Sequence, residues 1–320
     1  MTSAIDVRDD PDIRNDLDDR DDRDDRDEAS TSRLAPGSLR ILLMSLPLLI
    51  LGLLVFYPLC FTVYEAFMGS SRLYYQANGF GAVFAEVLAS PQFLSALSNT
   101  IIIAVLSTAG CLMLGFVLAL IVSFVPFPGS RVLGRFIDAY LAFPSFLIAL
   151  SFTFLYGSNG LVNGALMHLL GTSTPPLGNF VNTRWAVILA EITFYTPFVM
   201  RPLLAAFSQL DGALIDVASS LGARPMRIIR QIILPDAIPA LLAGGSLTLI
   251  LTLNEFGIVA MIGAKDVTTL TLQIYSEAIV NNDNTIASAM AVVSIVVSLA
   301  LYWLYRAILR RGGGNSVGAF

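Results

Sequence analysis

Long apolar runs alternate with short polar connections along most of this chain. Six stretches, at about 41–63, 99–122, 136–156, 185–207, 237–262 and 286–309, carry very few charged residues. A hydrocarbon layer about 30 Å thick takes roughly 20 helical residues, and each stretch is long enough. The pattern therefore predicts an all-α membrane protein of six spanning helices.

Composition supports this. Of 320 residues, 55% are hydrophobic and 13% charged, and the mean hydropathy is +0.72, too apolar for an ordinary soluble domain. Residues 1–28 hold 13 of the 24 acids and 5 of the 19 bases, so the sequence pI of 4.9 describes mainly that segment. The Asp/Arg repeat around Asp18–Glu28 has almost nothing apolar to bury. Residues 1–35 are expected to form a disordered cytoplasmic tail, and 312–320 a second flexible tail. Between them, 36–311 is expected to form one domain holding all six spans. An acidic leader before an uninterrupted apolar run is unlike a signal peptide, so the first span is expected to be retained. Cys60 and Cys111 fall inside predicted spans and read as small core residues. No metal, cofactor or nucleic-acid partner is expected.

Basic residues between spans set the orientation, because Lys and Arg are retained on the cytoplasmic side. Eleven arginines, from Arg33 and Arg40 through Arg131, Arg135, Arg201, Arg224, Arg227 and Arg230 to Arg306, Arg310 and Arg311, collect on one side. Only Arg72, Arg184 and Lys265 fall on the other. Both termini and the segment 208–235 are expected in the cytoplasm.

That segment is too patterned for a linker. Ile215, Ala218 and Leu221 recur at three-residue spacing, and Pro225 stands where the first turn of a helix tolerates it. Two short helices broken near Gly222 are predicted. Ala218, Ser219 and Ser220 leave room for another surface to approach, while Arg224, Arg227 and Arg230 share one side. From the residues alone, insertion into a groove on another protein and contact with lipid headgroups are both open.

Here the sequence resembles importer-type ABC permeases. Their cytoplasmic signature is Glu-Ala-Ala, three residues, Gly, nine residues, Ile, one residue, then Leu-Pro. Asp216-Val217-Ala218 stands at the first triplet, Gly222 at the Gly, followed by Ala223, and Ile232, Leu234 and Pro235 complete the pattern with every spacing intact. Asp keeps the carboxylate of Glu, whereas Val217 adds bulk. The resemblance implies a coupling helix that docks on a cytoplasmic ABC ATPase. It also implies a second permease subunit, same or homologous, an extracytoplasmic substrate-binding protein and a bacterial inner-membrane location.

The likeness extends over about 41–311 and is greatest to permeases of 2-aminoethylphosphonate uptake systems. It is carried by Pro126–Ser130, Ala190–Thr193, Val199–Leu203, Ala243–Ser246, Asn254–Ile258 and Ile262–Lys265. Permeases for iron, polyamine or thiamine share the architecture and remain alternatives.

Ionisable groups at membrane depth are costly and mark pathways or buried partners. Glu191 and Glu255 lie at similar depths, on the order of 10 Å from the ends of their spans at 1.5 Å per residue. With Asn254, they are candidates for a pathway or gate. The competing reading has the carboxylates satisfy backbone N–H groups at a helix break. Arg201 is placed to snorkel toward headgroups, and His168, the one histidine, is expected exposed in an outer loop. A secondary transporter would show inverted repeats with paired broken helices, and none is evident. Lys265, the one lysine, is not preceded by Gly, so the phosphate-binding loop of an ATPase is missing and ATP is expected to be hydrolysed by a partner.

Overall fold

A computed structural model describes residues 37–68, 81–125, 128–262 and 267–312. The acidic tail, Arg72, Lys265 and the segment 313–320 lie outside the described residues. Every regular element among those described is helical. Six stretches among the described residues have the length and composition to cross a membrane: Ser45–Met68, Pro91–Phe124, Ser145–Leu170, Arg184–Gln209, Pro225–Leu253 and Asn284–Ile308.

The first helix, α1, is Gly37–Met68. As far as Phe61 it belongs to a unit of its own, and its large side chains there, from Leu46 onward, are exposed. The second unit begins at Thr62. It contains α2 (Ala82–Ala89), α3 (Pro91–Phe124), α4 (Ser130–Tyr140), α5 (Ser145–Tyr156), α6 (Leu161–Leu170), α7 (Arg184–Gln209), α8 (Gly212–Ser220), α9 (Pro225–Leu253), α10 (Gly257–Ile262), α11 (Leu270–Tyr275, continued by a π turn Ser276–Val280) and α12 (Asn284–Gly312).

Helices α3, α7 and α9 pack together as the centre of this unit. In lipid, helices gain little from hydrophobic burial against one another, so small residues that bring backbones close matter more. Gly244 of α9 is such a point, because a Cβ there would fall 2.9 Å from the Cα of Val199 on α7. The main core fills in around this crossing with Ile103 and Cys111 of α3, Val187, Phe194, Val199 and Leu203 of α7, and Ile233 and Ala237 of α9. A smaller core joins α2 to the starts of α3, α11 and α12 through Val87, Phe93, Leu270 and Met290.

Two spans differ from the sequence expectation. The stretch expected at 136–156 is divided, because α4 ends at Tyr140 and α5 starts after Pro144. A residue before proline is pushed out of the helical region, so the chain turns there. The stretch expected at 237–262 begins earlier, at Pro225, and stops at Leu253. Its last six residues form the separate helix α10. The supposed second short helix of the 208–235 segment is thus the start of a span. His168 sits on α6, exposed, instead of in a loop.

Candidate functional sites: a projecting turn and a helix break

Helix α8 is short and punctuated at both ends. At its start the Asp211 carboxylate accepts the Ala213 N–H at 2.9 Å, which satisfies one of the donors a helix leaves free. At its end the Ala223 N–H reaches the Ala218 carbonyl and the Gly222 N–H reaches the Ser219 carbonyl, each at 3.0 Å. These are the paired bonds of a Schellman motif, which needs its C′ residue in the left-handed region. Gly222 occupies that position with φ +78°. Nothing lies within 4 Å of where its Cβ would be, so the chain itself demands glycine for its backbone and not for space.

No residue of α8 is buried. Ile215 and Ala218 lean on the core from the half-buried side. Leu221, grouped with them by spacing, stands instead 82% exposed, beside Leu214 at 54% and Val217 at 59%. Positions 214, 217 and 221 follow the three-then-four spacing of one helix face. Three large apolar side chains are therefore offered outward from a helix between two spans. Asp216 is exposed as well, whereas the Ser219 and Ser220 hydroxyls turn back to the carbonyls of Ile215 and Asp216 at 2.8 and 2.9 Å. The period read from the sequence, Ile215, Ala218 and Leu221, joins two inward positions to one outward one, so the outward stripe was not read there, and Val217 drew attention only as a departure from alanine.

Past the turn, Pro225 opens α9 at its first position, where a missing N–H costs nothing. Four residues of α helix lead into a π turn, Ile229–Ile233, and the Leu234 N–H bonds to the Ile229 carbonyl five residues back. Pro235 follows. A proline inside a helix removes a donor and crowds the carbonyl four residues before it, and the wider π turn accommodates this without ending the helix. Ile232, Leu234 and Pro235 consequently belong to the spanning helix, while Asp216, Val217, Ala218, Gly222 and Ala223 belong to the projecting turn.

The second site is the break between α9 and α10, where Asn254, Glu255 and Phe256 leave the helical ladder. The Glu255 side chain is 7% exposed. One of its oxygens accepts the Ile258 N–H at 2.8 Å and the Ser145 hydroxyl at 3.0 Å; the other accepts the Tyr195 hydroxyl. Its backbone carbonyl accepts the Thr271 hydroxyl at 2.8 Å. Helices α5, α7, α10 and α11 thus converge on this one residue. Nearby, the Leu270 N–H donates to the Thr100 hydroxyl at 2.8 Å and Asn99 donates to the Thr268 carbonyl at 3.1 Å, which ties the start of α3 to the same region. Ser145, Tyr195 and Thr271 carry no motif, and only the folded arrangement identifies them.

Asn254 is exposed, and its side-chain amide caps the Ile250 carbonyl at 2.8 Å. Glu191 lies one helical turn before Tyr195 and is 0% exposed. Ser107 of α3 is beside it, yet its hydroxyl and both Glu191 oxygens fall short of a hydrogen bond to any described residue. The two glutamates are therefore close through Tyr195, but Glu191 does not open on a cavity.

The family model for the inner membrane component of binding-protein-dependent transport systems matches residues 112–312. A provisionally named 2-aminoethylphosphonate transport system permease protein, PhnU, of Salmonella paratyphi A is 51% identical over 278 residues, covering 86% of this chain and 93% of its own. Its Salmonella typhimurium counterpart is 50% identical, covering 86% and 94%. Among solved structures, a bacterial ABC transporter involved in the import of the acidic polysaccharide alginate superposes with a TM-score of 0.72 at 21% identity, covering 85% of this chain and 96% of that one. The match to the alginate transporter establishes the shared fold. Taken with a family match that spans α7, α8 and α9, these findings show that the chain belongs to the inner membrane components of binding-protein-dependent transport systems, as a multi-pass permease subunit of an ABC importer.

Proposed function

We propose that this permease forms half of the translocation pathway for 2-aminoethylphosphonate. The observation that carries the substrate is the 51% identity to PhnU over 86% of the chain, well above the 27% found with a sulfate permease of Salmonella typhimurium. The other half of the pathway comes from a second permease subunit, and an external binding protein delivers the substrate. ATP is bound and hydrolysed by separate cytoplasmic subunits, and this chain performs no covalent chemistry. Both termini and α8 face the cytoplasm, in keeping with the arginine distribution.

Coupling runs through α8. Its exposed stripe of Leu214, Val217 and Leu221 has the form of a short helix that inserts into a groove on the ATPase, with Gly222 setting the direction in which it projects. Movement of the ATPases on binding ATP then shifts α8 and, through the turn into α9, the spans, so that one population of states opens outward and another inward. At the helix break, Asn254 faces the pathway, while Glu255 holds the break together from behind and Glu191 backs the same layer. Broken helices at membrane depth persist where the backbone is buried or lines a water-filled path, and this break does both on its two sides.

The test is uptake. Cells lacking this chain should not take up 2-aminoethylphosphonate when it is the sole phosphorus source, and restoring the gene should restore growth. Undiminished uptake in a strain with no second system contradicts the substrate assignment while leaving the permease role intact.

A further inference from the structure

Arg224, Arg227 and Arg230 take no part in the signature pattern, and no described carboxylate pairs with any of them. They line a cavity of about 670 Å³ together with Gly222, Met226 and Gln231, a wall that among the described residues has three positive charges and no negative one. A second cavity, of about 460 Å³, adjoins it across the turn at Gly222–Pro225. Its lining is almost wholly apolar, from Val117, Ile121 and Phe124 of α3 to Ile228 and Ile229 of α9. One short stretch of chain therefore separates a basic pocket from an oily groove. Both stand where the span Pro225–Leu253 begins, the level at which a spanning helix passes from hydrocarbon into the headgroup layer.

We infer that this pair of cavities holds one anionic phospholipid, its phosphate against Arg224, Arg227 and Arg230 and an acyl chain in the groove between α3 and α9. Arginine forks suit phosphate oxygens, and three guanidinium groups within two turns favour a headgroup with net negative charge over a zwitterionic one. The apolar groove distinguishes a lipid from an acidic protein surface, which would need carboxylates but no acyl-sized cleft. Because the same turn carries Gly222 and the end of α8, a lipid seated here braces the coupling turn against the membrane. The inference does not depend on which substrate is carried.

The test uses the full-length chain in neutral-lipid nanodiscs, with phosphatidylglycerol or phosphatidylcholine added and retention read by native mass spectrometry. Phosphatidylglycerol should be retained roughly tenfold or more over phosphatidylcholine, as two or three basic contacts near a membrane surface imply. Arg227→Gln with Arg230→Gln should erase that preference. Ile121→Trp, which fills the groove and leaves every arginine in place, should weaken lipid retention too, and inorganic phosphate should compete poorly. Equal retention of the two lipids overturns the inference, as does full competition by phosphate or an Ile121→Trp variant that binds normally. Loss of ATPase binding in the double arginine variant with lipid retention unchanged also overturns it and assigns the arginines to a protein contact.

Discussion

At the helix break, both oxygens of Glu255 are taken by Ile258, Ser145 and Tyr195. At the end of α8, by contrast, Leu214, Val217 and Leu221 stand in the open. A buried polar group is stable only when its partners are inside the molecule, so a site built like Glu255 is complete in one subunit. Exposed apolar groups in a row at helix spacing are the reverse case, because what they lack is another surface. The contrast separates a part of this permease whose polar groups are satisfied within the chain from a part that leaves three large apolar side chains exposed.

Changes at the projecting turn should consequently spare the fold and remove function. The largest effect is expected from Gly222→Asp, which adds bulk and charge where the chain leaves open space. The left-handed backbone strain is on the order of 1 kcal/mol, too little to unfold the bundle. Membrane insertion should be normal, while ATPase co-purification and uptake are both lost. Gly222→Asn sharpens the point, since asparagine tolerates the left-handed region without charge. Uptake retained in Gly222→Asn but not in Gly222→Asp assigns the loss to the charge; normal uptake in Gly222→Asp removes the turn from the mechanism.

At the helix break the order reverses. Glu255→Ala strips the Ile258 N–H of its cap and leaves the Tyr195 hydroxyl buried without an acceptor. A loss of roughly 2–4 kcal/mol is expected, seen as a lower unfolding temperature and poorer assembly. Glu255→Gln keeps an acceptor for Ile258 and should assemble. If that variant assembles but loses substrate-stimulated ATP turnover, the carboxylate charge contributes to the pathway and not only to the cap.

The smallest effect is expected at Ser219. Its hydroxyl bonds to the Ile215 carbonyl within α8, so Ser219→Ala should change stability by less than about 0.5 kcal/mol and leave uptake intact. A marked fall in uptake would extend the docking face beyond Leu214, Val217 and Leu221.

The hydropathy pattern was enough to count the spans and to place the polar segment between the fourth and fifth. The break near Gly222 was also legible, because a glycine after a short periodic run and before proline has few other uses. Two things were not. The start of α9 at Pro225 was hidden because Arg224, Arg227 and Arg230 lower the apolar count over its first turns, although the helix runs on through them. The Glu255 cluster was hidden because Ser145, Tyr195 and Thr271 are ordinary residues in three distant parts of the chain, and only the packing of α5, α7 and α11 brings the first two to the Glu255 carboxylate and the third to its backbone carbonyl. Glu191 and Glu255 looked equivalent by depth, yet one is fully bonded and the other has no partner among the described residues.

The outward stripe of α8 is tested most directly by the accessibility of Leu221 with and without the ATPase. Leu221→Cys, made after replacing Cys60 and Cys111 by serine, should react readily with a thiol reagent in the permease alone, as its exposure requires. In the assembled transporter the same cysteine should be protected by roughly tenfold or more, as expected of a side chain packed into a protein groove. Equal labelling in the two states would contradict the assignment of α8 as the helix that couples ATP to transport.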